Sequence, residues 1–138
     1  MSKSFLFLLF FIHTTLNAAE VTSFSPEGNV KNIQQVTARF STDMKSLGDP
    51  RDTIIPFTAS CEDNRGKELK VPASTSRWAD TKNWVLDFTN PLSAGIQCKM
   101  SMKQGLKDLA GIVVPYREFQ FSTSGPAIVE SLTSYDSI

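Results

Sequence analysis

Histidine is nearly missing from this chain of 138 residues: the only one is His13, inside an apolar N-terminal stretch. Without it the familiar nucleophile-His-acid arrangements, the common zinc sites and ordinary acid-base chemistry near neutral pH lose their usual participant. Cysteine is scarce, with two, and 14 Lys and Arg face 14 Asp and Glu with no block of one sign. Nucleic acid and anionic membrane surfaces are therefore poor partners. No apolar run approaches the ~20 residues of a membrane-spanning helix. No segment keeps a 3.6-residue period over three turns, so only short helical turns are open, for example over residues 106–110.

What is present begins with Lys3, eight apolar residues at 5–12, a polar HTTLN and the small pair Ala18-Ala19. That is the pattern of a secretory leader over residues 1–19, with the periplasm or cell envelope as destination. No cysteine follows the cleavage region, so no lipid anchor is implied, and the mature chain has no membrane span. About 119 residues remain, enough to bury ~65% of the unfolded chain's surface in one core. Loss of Lys3 leaves thirteen cations against fourteen anions. An even cysteine count in an exported chain points to a disulfide between Cys61 and Cys98. The cross-link would close a loop worth ~4 kcal/mol on the chain-entropy account.

Alternation with period two recurs along the exported part. Val36, Ala38 and Phe40 oppose Gln35, Thr37 and Arg39; Phe57, Ala59 and Cys61 oppose Thr58 and Ser60. Trp84, Leu86 and Phe88 repeat the pattern, as do Phe119 and Phe121. Breakers fall between these runs, at SPEG (25–28), GDP (48–50), NRG (64–66), NP (90–91) and AG (94–95). With a first strand near residues 21–24 and another near 71–78, about seven strands are expected. The fold class is all-β, an immunoglobulin-like antiparallel sandwich over residues 20–123. The small, polar residues after Phe121 read as a linker-like tail over residues 124–138.

Candidate chemistry is thin. Cys98, Met100 and Met102 stand at alternate positions, where sulfur ligands for copper could sit, but same-face neighbours on a strand are ~7 Å apart. Their polar partners Gln97, Lys99, Ser101 and Lys103 mark the solvated side, so the sulfur row is expected in the core. Asp49, Asp52, Glu62 and Asp63 lack the spacing of a calcium loop, and residues 62–70 read as an exposed hairpin. Ser41, Ser60 and Ser122 have no base to activate them. Trp78 and Trp84 could bind sugar or a peptide on the surface, but two tryptophans near adjoining strands are read as core anchors. No catalytic residue, cofactor or metal ligand is assigned, and the chain is not read as an enzyme.

The motifs SPEGNV (25–30), VTARFSTDM (36–44), GLKDLAG (105–111) and FQFST (119–123) resemble those of bacterial Ig-like domains. Asp43 stands where a proline commonly precedes Met44 in that pattern. A narrower resemblance is to the N-terminal macroglobulin-like domain of large bacterial alpha-2-macroglobulins. It is carried by GDPR (48–51), PFTASC (56–61), RWADTKNWVLDF (77–88), AGIQCKMSM (94–102) and STSGPAIVESL (122–132). That resemblance implies a non-catalytic N-terminal module or fragment of a protease trap. Its partners would be further domains of the same or a neighbouring polypeptide and, in the full-length context, proteases. The thioester pattern Cys-x-Glu-Gln is absent after both cysteines, and no bait-like segment is recognisable. The other reading is a stand-alone adhesion or ligand-binding module of the envelope.

Overall fold

A computed structural model describes residues 8–13, 18–48 and 54–123. Nine strands run in chain order: β1 (Val21–Ser25), β2 (Gly28–Val30), β3 (Gln35–Phe40), β4 (Phe57–Asp63), β5 (Glu68–Leu69), β6 (Ser74–Trp78), β7 (Asn83–Phe88), β8 (Ile96–Met102) and β9 (Glu118–Thr123). They form a four-stranded sheet in the order β1-β3-β7-β6 and a five-stranded sheet in the order β2-β9-β8-β4-β5. Every pairing is antiparallel except β2 with β9, which is parallel. The count exceeds the expected seven because β2 and β5, with three and two residues, are too short to show alternation.

The alternation sets the core. Val36, Ala38 and Phe40 of β3 are buried, as are Trp84, Leu86 and Phe88 of β7, so one side of the four-stranded sheet faces inward. Phe57, Cys61, Cys98, Met100, Met102, Phe119 and Phe121 supply the facing side from β4, β8 and β9. The two layers meet in rings: Phe57 lies 5.3 Å from Trp84 and 6.3 Å from Phe40, and Phe24 stacks on Phe119 at 4.0 Å. Each such side chain, fully buried, contributes about 1.5–3 kcal/mol by removal of apolar surface from water. Trp84 is wholly buried, and its indole N–H donates to Ser76 Oγ at 2.8 Å. Trp78 is half-buried and donates to the Ile54 carbonyl at 2.9 Å. Both tryptophans are core anchors.

The chain changes sheets between β1 and β2, where the Ser25–Pro26 peptide is cis and Gly28 takes φ +74°. At the entry pole, backbone bonds tie the loops together: Phe40 N–H donates to Lys82 O, Met44 N–H to Thr81 O and Leu109 N–H to Asp43 O. The hairpin over residues 62–70 forms as expected. Asp63 Oδ1 accepts from the Arg65 and Lys67 amides, and Gly66 takes φ +79°.

The helical turn expected at residues 106–110 does not form. Leu106 and Val114 are both buried, Val114 N–H donates to Leu106 O, and Lys107 bridges Val113 in antiparallel fashion. The turn closes on buried Asp108, whose Oδ1 and backbone carbonyl accept from Ile112 and Gly111, with Gly111 at φ +84°. An Asp that satisfies turn amides competes with helix, and a glycine in the left-handed region completes the reversal.

The order β1-β3-β7-β6 reproduces the A-B-E-D sheet of an immunoglobulin domain, and β9-β8-β4 its G-F-C sheet. The disulfide departs from that plan. Cys61 and Cys98 are bonded within one sheet, on β4 and β8, whereas antibody domains bridge the two sheets from B to F. Among the described residues no helix is long and apolar enough to cross a membrane. The expected leader falls partly, and the expected tail wholly, outside the described residues.

Candidate functional site

The inward residues of β4, β8 and β9 fix what their alternate residues must do: they stand on the outer face of the five-stranded sheet. Register then groups them into rows across the strands. Glu62, Gln97 and Ser122 are direct partners, with Asn29 of β2 next to Ser122. The second row is Ser60, Lys99 and Gln120, and the third is Thr58, Ser101 and Glu118. Rows lie about 7 Å apart along the strands and neighbours within a row about 5 Å. The first two rows border an open depression of about 460 Å³, beneath which run Cys98 and Phe121.

Tyr116 closes the third row. Its phenol O–H donates to Glu118 Oε1 at 2.6 Å and it also bonds Ser101. The bond to Glu118, then partial burial, raise the phenol above its ordinary value, so it remains a neutral donor. Tyr116 as a residue is 42% exposed, and its hydroxyl bonds both of its neighbours on the sheet. Charge on the face is balanced locally: Lys99 stands diagonally from Glu62, and Glu118 is occupied by Tyr116.

The sequence candidates fall as follows. Cys61 and Cys98 form the disulfide, with Cα atoms 4.1 Å apart, and leave no free cysteine among the described residues. Met100 and Met102 are 1% and 2% exposed, inside the core as the alternation indicates, so the sulfur row offers no copper-binding surface. Glu62 belongs to the outer face and Asp63 to the β4–β5 turn, while Asp49 and Asp52 lie outside the described residues. Ser41 Oγ donates to Ala18 O and accepts from the Glu20 amide, a structural tie at the chain entry. Among the described residues no group of three or more His, Cys, Asp or Glu could hold a metal. The outer face carries no mark of its own in the sequence: its Gln97, Lys99, Gln120 and Ser122 are visible there only as the solvated halves of strands.

The opposite sheet carries a separate polar set. Asp87 accepts from Gln35 at 2.8 Å and pairs with Arg77 at 2.5 Å. The Arg77 bond, then that from Gln35, hold the Asp87 carboxyl below its usual range. Asp80 is lowered by the amide of Lys82 and the side chain of Asn83, which make it the cap of the β6–β7 turn.

With strand order and faces in place, the family comparison decides the identity of the fold. Residues 16–123 match the family described as the bacterial Ig-like domain. The chain belongs to that family. This supports the broader of the two resemblances, while the alpha-2-macroglobulin assignment gains nothing from it. No curated protein matches the sequence. Two similar solved structures are CopC from Methylosinus trichosporium OB3b and the S-layer protein rSbsC. The first is 16% identical with a TM-score of 0.48, covering 78% of this chain and 95% of that one. The second is also 16% identical at 0.48, covering 80% of this chain and 14% of that one. Neither likeness bears on ligand or activity.

Proposed function

We propose that this bacterial Ig-like domain is an exported, non-catalytic binding module of the cell envelope, and that the outer face of its five-stranded sheet is the contact surface. The depression between the Glu62 and Ser60 rows carries this reading. The leader-like residues 1–19 and the disulfide support export to an oxidising compartment. The cross-link also braces β4 against β8 directly beneath the proposed surface, which favours a preorganised site.

The test is cosedimentation of the oxidised mature chain with isolated bacterial envelopes, beside a Gln97→Arg/Gln120→Arg variant of equal thermal stability. The wild type should pellet and the variant should not. Equal behaviour of the two, bound or unbound, overturns the assignment of the face.

A second reading keeps the module as the first domain of a protease-trapping macroglobulin, with further domains and proteases as partners. It is favoured by the pairing of the two cysteines found in the quoted PFTASC and AGIQCKMSM motifs. Coding sequence beyond Ile138 that specifies further domains and a Cys-x-Glu-Gln motif would support it. A reading frame closing there without them would remove it.

A further inference from the structure

Resting on the binding-module reading, we infer that the outer face of the five-stranded sheet takes a neutral, hydroxyl-rich glycan chain, with Tyr116 as its ring platform and Gln97, Lys99 and Gln120 as its hydrogen-bonding contacts. The chemistry of the face selects this class. Primary amides both donate and accept, serine hydroxyls do the same, and one ammonium donates, so the surface can answer hydroxyl groups in either sense. A polyanion would require clustered cations, whereas Lys99 stands among Glu62 and Glu118. A protein partner would need apolar anchors at the centre of the patch. Among the described residues, the large exposed apolar side chains lie elsewhere, and Tyr116 alone borders this face.

The spacing common to β-sheets also accommodates such a chain. Partners within a row repeat at the strand separation of about 5 Å, close to the repeat of pyranose rings in an extended chain. A glycan laid across β9, β8 and β4 therefore meets Gln120, Lys99 and Ser60 in turn, with Gln97 bordering it from the adjacent row. Tyr116 stands one row further along, over Ser101 and Glu118. Its pinned ring offers an apolar surface to the C–H side of a sugar, and little motion need be frozen on binding.

The experiment is an amide and side-chain NMR titration of the oxidised chain with cellohexaose, maltohexaose and the hexamer of N-acetylglucosamine, and with polygalacturonate as the anionic control. At least one neutral hexasaccharide should give saturable shifts centred on Gln97, Lys99, Gln120 and Tyr116. Tyr116→Ala should weaken binding about tenfold. Tyr116→Phe, which keeps the ring but loses its hydroxyl ties to Glu118 and Ser101, should weaken binding less, by about threefold, a difference that loss of folding would not produce. No shift with any neutral sugar up to about 10 mM, shifts centred elsewhere, or preference for polygalacturonate would overturn the inference. If the sugars are silent while envelope binding still depends on Gln97 and Gln120, the glycan class falls and the binding face stands. If both are silent, both fall.

Discussion

Cys61 and Cys98 face each other across β4 and β8 and are bonded on the core side, while their sequence neighbours Ser60, Glu62, Gln97 and Lys99 border the outer depression. One cross-link thus fixes the register of the two strands that carry most of the candidate surface. Its removal by Cys61→Ala/Cys98→Ala should cost about 4 kcal/mol for a sequence separation of 37. Urea unfolding of the two proteins measures this. Alkylation of the unreduced, denatured chain should label no thiol; one labelled thiol per molecule would sink the pairing.

Met100 and Met102 are inside, and Cys98 is spent in the disulfide. Titration of the oxidised protein with Cu(I) should accordingly show no stoichiometric tight site at this strand. A site that disappears in Met100→Leu/Met102→Leu would contradict that placement.

Trp84 provides a sharper probe of the core. Ser76→Ala removes the acceptor of its buried indole N–H, a loss of about 1–3 kcal/mol because the donor is left without a partner. The midpoint of thermal unfolding should drop by about 4 °C or more. An unchanged midpoint would show that water reaches the indole.

Asp80 and Asp87 both have lowered folded-state values, so the folded chain holds fewer protons on them than the unfolded chain does. Their contribution is full above the unfolded carboxylate value near pH ~4 and drains away as pH falls through the depressed folded values. Both groups are exposed, so the effect is modest. The urea midpoint should fall between pH 7 and pH 3, and Asp87→Asn should fall less. An equal fall in both proteins would remove Asp87 from the account.

Ala19 is 1% exposed and belongs to the core cluster, although the leader pattern ends there. A chain beginning at Ala19 should be more stable than one beginning at Glu20 by about 1 kcal/mol, the order expected for a buried methyl group. Scanning calorimetry of the two would detect this as a few degrees.

Much of the sandwich could be read from the period-two runs because each strand has one face against the other sheet. The same rule placed Cys98, Met100 and Met102 inward and sent Trp84 to the core. It could not register β2 or β5, which are shorter than one full alternation, nor the crossing at Pro26, which depends on where β9 lies. Leu106 and Val114 read as parts of separate segments because their pairing is set by a turn between them. The outer face was hidden for a different reason. Gln97, Lys99, Gln120 and Ser122 become neighbours only through the β4-β8-β9 register, and Tyr116 joins them from a loop through a bond to Glu118.

The switch of the chain from β1 to β2 has a mechanical meaning. The described part of the sandwich begins at Ala19 beside one pole and ends at Thr123 beside the other, with β2 lying parallel to β9. Tension applied between those points would draw β2 and β9 in opposite directions along their length. Gly28, Asn29 and Val30 would then bear the load together against Phe121, Ser122 and Thr123, in shear, instead of parting one after another as in a zipper.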